Sequence, residues 1–249
     1  MDLDNGEIHI WSDTLQESRL DYNVINALLS QDEQARAKRF YRRDDGFRYV
    51  MSRVRLRSLL AEYTRIPVKD ITFCYGPNGK PGLLSKASWP NIHFSISHTS
   101  GLTLFAFALG EEVGVDIETT AHHIDVQAAS KRFLGAAELA HFNSTPSDNR
   151  KSLFFKYWTR KEACLKLLGI GLSVEPQTID VSKPPIVWVK ADSSSEHRPE
   201  YKILWLMDLQ LDGGYMGACA LAGSGPPKAV RHFHCDHAIH TFAGAEVPH

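Results

Sequence analysis

The apolar residues of this chain change their period along its length, and that change limits the folds open to it. In Asn91–Ser97, Ile92, Phe94 and Ile96 alternate with His93, Ser95 and Ser97, the period of two that belongs to a strand. A turn at Ser100-Gly101 leads into an apolar run, Thr103–Leu109, so the pair reads as a hairpin. Val113-Gly114-Val115-Asp116-Ile117-Glu118 alternates again. Val113, Val115 and Ile117 then face a core, while Gly114, Asp116 and Glu118 line the opposite face. From about Arg150 the period becomes helical and runs to Gly169, a natural C-cap. A chain carrying both periods is neither all-α nor all-β.

The segments fall into two groups of similar size. The first holds a strand at Glu7–Trp11 and a helix opened by the capping box Ser30-Gln31-Asp32-Glu33 and reaching about Phe40. A second helix, capped by Asp44 or Asp45, runs to about Tyr63, then come a strand at Ile71–Tyr75 and the hairpin. The second group opens with Val113–Glu118, followed by short helices at Val126–Leu134 and Ala136–Phe142 and the long helix. Strands are expected around Thr178–Val181, Pro185–Lys190, Tyr201–Leu209 and Gly217–Ala222. This predicts an α+β chain of two subdomains, residues 1–112 and 113–227. Residues 228–249 hold His232, His234, His237 and His240 near Cys235 and are expected to form a loosely attached tail rather than a metal site.

Composition removes some functions. With 249 residues and a net charge of −1, the chain offers no general field for nucleic acid. Its longest apolar run, Leu102–Leu109, is far short of a membrane span. Cys74, Cys164, Cys219 and Cys235 are scattered without a CxxC pair, which fits buried thiols in a reducing cytoplasm. The charge is locally uneven, however. Arg36, Lys38, Arg39, Arg42, Arg43, Arg48, Arg53, Arg55 and Arg57 are opposed within that stretch only by Asp44 and Asp45. Such a run is either an anion-binding surface or a solvated helix face. A second cation, Lys80, sits in the Gly- and Pro-rich loop Gly76–Gly82.

On the long helix Trp158, Glu162 and Lys166 share one face. Alone, Glu162 and Lys166 would be an ordinary surface ion pair. The helix can fold back over the strand that carries Asp116 and Glu118, and three converging carboxylates need a cation among them. Mg²⁺ suits them, because it takes oxygen ligands and joins protein carboxylates to substrate phosphates. Lys166 could then neutralise a phosphate oxygen. Carboxylates with scattered cations point to a polyphosphate-containing substrate held through Mg²⁺.

The VGVDIE stretch, followed by WTRKEACLK, resembles the paired signature of the Sfp-type 4′-phosphopantetheinyl transferases. Gly79-Lys80-Pro81, the FSISHT run at Phe94–Thr99 and Gly171-Leu172-Ser173 agree with it, so the resemblance spans about residues 36–222. It implies a pseudo-twofold arrangement of two similar α+β subdomains, with coenzyme A bound between them. The implied reaction moves phosphopantetheine from coenzyme A to a serine of an apo acyl, peptidyl or aryl carrier protein, releasing adenosine 3′,5′-bisphosphate. By motif match, Asp116, Glu118 and Glu162 would hold Mg²⁺ and Lys166 would contact the phosphate. Ser97 and His98 would meet coenzyme A phosphates, Lys80 and Pro81 would lie beside the adenine, and Arg48 would bind the 3′-phosphate, with Arg36 and Arg39 assisting. Arg132 and Phe133 match a stretch beside the carrier surface, against the alternative that Phe133 packs inward. The resemblance implies a monomer with no membrane or nucleic-acid partner. The proton acceptor is open between Glu162 and a metal-bound water. A nuclease or phosphatase would explain the carboxylates but not the GKP and FSISHT segments, and a non-catalytic coenzyme A or carrier-binding module would keep its function in Asp116→Ala.

Overall fold

The computed structural model of the protein describes residues 1–15, 27–84, 90–171, 174–190 and 200–235. Chain order begins with strand β1 (Glu7–Asp13), then helices α1 (Gln31–Ala37) and α2 (Arg43–Thr64). Short strands β2 (Phe73–Tyr75) and β3 (Pro81–Leu83) lead to β4 (Ile92–Thr99), β5 (Leu102–Leu109) and β6 (Val113–Thr119). Helices α3 (Val126–Phe133), α4 (Ala136–Ser144) and α5 (Ser147–Leu168) follow. Strands β7 (Ile186–Lys190), β8 (Glu200–Leu209), β9 (Tyr215–Ala222) and β10 (Ala229–His234) complete the described elements.

Local signals set several of these boundaries. The Ser30 hydroxyl accepts from the Glu33 N–H, and the Glu33 side chain accepts from the Ser30 N–H, so α1 starts with both halves of its capping box. Asp44 and Asp45 lie inside the first turn of α2 rather than capping it, where their charge favours the positive end of the helix. Gly169 ends α5 in the left-handed region, at φ 64.

Two four-stranded sheets carry the architecture, in the orders β10-β1-β5-β4 and β6-β9-β8-β7. Leu56, Leu59, Leu60 and Tyr63 of α2 pack on the first sheet through Phe94, Phe105 and Phe107. On the second, α5 contributes Phe154, Ala163, Cys164 and Leu167 against Leu204, Ala218 and Ala220. The remaining faces meet each other: Ile8, Ile10, Leu104 and Ala106 pack with Val115, Ile117, Cys219 and Leu221. The result is a layered α+β molecule with one helix-covered sheet on each side of a shared core.

Two further expectations are corrected. No strand forms at Thr178–Val181; a 3₁₀ turn spans Pro176–Thr178, and the Val181 N–H donates to Glu138 Oε1 at 2.8 Å. A side-chain carboxylate there takes the bond that a neighbouring strand would have made. The tail is also not loose from its start, since Ala229–His234 pairs in parallel with β1 and the Cys235 N–H donates to Ser12 O at 2.9 Å. The exposed edge of β1 offered unpaired backbone groups, and this segment covers them. His237 and His240 lie outside the described residues, as do Leu172 and Ser173.

Candidate active site

The site begins with a glycine. A Cβ at Gly114 would come within 2.0 Å of Ala163 O and 2.6 Å of Leu167 N. The face of β6 read as lying opposite the core is therefore covered by the backbone of α5, at the turn between Glu162 and Lys166. That contact sets the helix against the strand and brings its polar residues over Asp116 and Glu118.

Asp116 is buried, 4% exposed, and Lys166 Nζ stands 2.7 Å from its Oδ1. The same oxygen accepts from Ser97 Oγ at 2.8 Å. Lys166 thus pairs with a strand residue rather than with Glu162 on its own helix. Asp116 Oδ2 is buried without a hydrogen-bond partner. Burial pushes the Asp116 carboxyl up despite Lys166 and Ser97. Burial and then the charge of Asp116 raise both Glu118 and Glu162, and Glu162 also feels Glu118. The three carboxylates therefore act on one another across the strand and the helix. Thr99 Oγ1 donates weakly to Glu118 Oε2 at 3.4 Å. Among the described residues, no three His, Cys, Asp or Glu side chains stand ready in a coordinating group. Lys166 and Thr99 hold two of these carboxylates. The orphaned Oδ2 and the all-oxygen donor set suit a hard divalent cation arriving with its substrate.

A cleft of about 360 Å³ opens beside this cluster between the two halves. Glu162, Lys166, His98, Lys80, Pro81 and Arg36 are among its walls. The larger hollow beside β10, which includes Leu104, Leu211 and His232, has no wall residue in common with it. His98 is exposed, yet the protein around its ring, then the charges of Lys166 and Arg48, hold its imidazole below the ordinary range. Arg48 is exposed on the first turns of α2, 3.2 Å from Asp45 Oδ1. Ser97 is not among the cleft walls, and its hydroxyl also accepts from the Ile117 N–H at 3.3 Å. Lys80 donates to Leu167 O at 2.6 Å, and Asn78 Nδ2 donates to Gly169 O at 2.9 Å. The loop that carries the cation thus clasps the end of α5, and burial holds the Lys80 ammonium below its ordinary range.

The basic stretch divides on inspection. Arg53 Nε and Arg57 Nη2 bind Glu33 at 2.7 and 2.6 Å, and Arg55 Nε binds Asp13 at 2.6 Å. Those guanidiniums tie α1 and β1 to α2, while Arg36, Lys38, Arg39, Arg42, Arg43 and Arg48 face solvent. Lys161, inside the WTRKEA run, is buried and binds Glu138 Oε2 at 2.6 Å and the carbonyls of Pro176 and Ile179. Its role is to hold α5 to the loop before β7. Phe133 packs on Trp158, with ring centroids 4.2 Å apart, so Phe133 turns inward and Arg132 stays exposed. Sequence reading did not foresee the engagement of Lys161, the commitment of Arg53 and Arg57, or the contacts of the β4 hydroxyls. A buried lysine or arginine needs a partner, and in each case the partner is remote in sequence.

A two-sheet α+β molecule with an acidic cluster beside a cation-lined cleft defines an enzyme class that handles phosphoryl groups. Comparison with known proteins makes this specific. Residues 112–219 match the model of the 4′-phosphopantetheinyl transferase superfamily, and residues 11–109 match the 4′-phosphopantetheinyl transferase N-terminal model. The chain is 31% identical over 229 residues to the 4′-phosphopantetheinyl transferase HetI of Nostoc sp., covering 92% of this chain and 93% of that one. It is 28% identical to the 4′-phosphopantetheinyl transferase Sfp of Bacillus subtilis over 195 residues, 78% of this chain and 83% of Sfp. A mouse relative, L-aminoadipate-semialdehyde dehydrogenase-phosphopantetheinyl transferase, is 26% identical over 182 residues, 68% of this chain and 57% of its own. This chain belongs to the 4′-phosphopantetheinyl transferase family. Enzymes of the family transfer phosphopantetheine from coenzyme A to carrier proteins.

Proposed function

We propose that this chain is a Mg²⁺-dependent holo-carrier-protein synthase, moving 4′-phosphopantetheine from coenzyme A to a serine of an acyl, peptidyl or aryl carrier. The observation that carries the metal is the buried Asp116 Oδ2, without a partner and in charge reach of Glu118 and Glu162. Asp116, Glu118 and Glu162 would hold the ion, which when bound neutralises the coenzyme A pyrophosphate. Lys166 lines the cleft 2.7 Å from Asp116, and its ammonium would turn to a phosphate oxygen as negative charge gathers there. Glu162 also lines the cleft, and a carboxylate oxygen there would take the proton of the incoming serine hydroxyl. The carrier supplies the nucleophile, so none is required of this chain.

His98 and the exposed Arg48 would receive the 3′-phosphate, the charge of Arg48 being felt at the His98 ring. Lys80, whose ammonium is held by Leu167, would shape the wall beside the adenine together with Pro81 rather than bind a phosphate. The exposed Arg132 would meet an acidic carrier. The scattered cysteines, with Cys164 and Cys219 fully buried, support a cytoplasmic enzyme. Among the described residues no helix is long and apolar enough to cross a membrane.

The test is a mass measurement of an apo carrier after incubation with coenzyme A, with and without Mg²⁺. Addition of the phosphopantetheine mass in the Mg²⁺ arm alone is expected. An unmodified carrier beside hydrolysed coenzyme A would instead make the protein a phosphoester hydrolase, and transfer in the presence of EDTA would remove the metal from the reading.

A further inference from the structure

Strands β4 and β6 lie in different sheets: β4 pairs with β5, and β6 pairs with β9. The seam between them is closed by side chains. Ser95 Oγ accepts from the Val115 N–H at 3.1 Å, and Ser97 Oγ accepts from the Ile117 N–H at 3.3 Å. Ser97 Oγ also donates to Asp116 Oδ1 at 2.8 Å, and Thr99 Oγ1 donates to Glu118 Oε2 at 3.4 Å. The hydroxyls occur at every second residue of β4, the side-chain period of a strand, and their partners advance along β6 in the same direction. A row of hydroxyls therefore replaces a backbone ladder between two parallel strands, and it runs past both strand carboxylates.

We propose that Ser97 and Thr99 are positioning residues that aim Asp116 and Glu118 for the metal, an inference that rests on the Mg²⁺ reading above. A serine has one proton to give. Ser97 gives it to Asp116 Oδ1, while its oxygen is held by the Ile117 N–H, so its rotamer is fixed from both sides. Lys166 takes the same Oδ1. One carboxylate oxygen is thus occupied twice, and Oδ2 is left as the acceptor. Without the Ser97 hydroxyl, Asp116 can rotate about its carboxyl bond and present either oxygen. Ser97 acts through Asp116; it is 4% exposed and is not part of the cleft wall. Thr99, at the end of the row, makes the longer bond and has the smaller effect.

The test compares the full chain with Ser97→Ala, Thr99→Val and the conservative Thr99→Ser. Mn²⁺ is titrated in the presence of coenzyme A, with free Mn²⁺ read by electron paramagnetic resonance, and transfer is measured at graded Mg²⁺. Ser97→Ala is expected to weaken Mn²⁺ about tenfold to hundredfold and to shift the Mg²⁺ dependence of transfer in parallel, as loss of a ligand-orienting bond does. The KM for coenzyme A at saturating Mg²⁺ should stay within about twofold. Thr99→Val should weaken Mn²⁺ less, and Thr99→Ser should restore it. Thr99→Val preserves side-chain volume and is partly exposed, so it keeps the test decisive if Ser97→Ala fails to fold. Wild-type Mn²⁺ affinity in Ser97→Ala, or in Thr99→Val where Ser97→Ala does not fold, overturns the positioning role and leaves the metal reading standing. Absence of Mn²⁺ binding by the wild-type chain overturns both.

Discussion

The Nζ atom of Lys80 lies 2.6 Å from the carbonyl oxygen of Leu167, joining a loop of the first half to the last turn of the helix that carries Glu162 and Lys166. A cation at a helix C-terminus satisfies a carbonyl left over by the helix and meets its negative end. Removing it in Lys80→Met should cost about 1.5–3 kcal/mol, the scale for a hydrogen bond involving a charged group. The cleft wall would loosen with it, raising KM for coenzyme A more than it lowers kcat. Thermal melts and steady-state kinetics on the same preparation check both halves of this expectation.

Gly114→Ala should be severe. The added methyl would collide with the backbone of Ala163 and Leu167, and neither can rotate out of the way. Overpacking costs about 1–3 kcal/mol in ordinary cores, and a collision with backbone belongs at the upper end. Because α5 must retreat from β6, transfer should fall further than stability does. A variant that melts like wild type and transfers normally would show that α5 does not rest on this glycine.

Lys166→Met separates charge balance from catalysis. Loss of the ammonium leaves Asp116 without its counter-charge, so Mn²⁺ should bind more tightly in the absence of coenzyme A. Transfer should nevertheless fall by about a hundredfold to a thousandfold, the scale for losing one charge-stabilising donor. Calorimetric titration of Mn²⁺ and the turnover rate should thus move in opposite directions.

Glu33 supplies a pH-dependent share of stability. Burial pushes its carboxyl up, but the Ser30 N–H and the guanidiniums of Arg53 and Arg57 outweigh it and hold the group below its ordinary value of 4.5. A depressed carboxylate stabilises the fold above the unfolded value and loses that contribution as pH falls through the folded one. Melting temperature should therefore drop more steeply in wild type than in Glu33→Gln below about pH 4.5. Near neutrality Glu33→Gln should cost about 3–5 kcal/mol, because two buried guanidiniums lose their counter-charge. Parallel melts of the two proteins across this range are the measurement.

Sequence period and capping chemistry made much of the fold legible. The capping box at Ser30, the left-handed Gly169 and the alternation of β4 and β6 are local signals, and each stands where it was read. The convergence of β6 with α5 was accessible because two carboxylates on a strand and one on a helix need a common reason. What escaped were bonds between distant residues. Arg53 looks like surface charge until Glu33 comes into contact, and Lys161 looks like part of a reactive motif until Glu138 does. Ser95, Ser97 and Thr99 read as the polar side of a strand, because nothing nearby announces that a second sheet lies against them. The β10 strand escaped for the same reason, as its partner is at the other end of the described chain.

That pairing has a consequence for how the protein is made. β1 leaves the ribosome before every other described strand, and β10 follows them all. Until β10 emerges, the first sheet has only β1, β5 and β4, with one side of β1 still open. The half that is translated first is therefore finished last, and a nascent chain stalled before Ala229 would carry an adhesive strand edge however well its second half had folded.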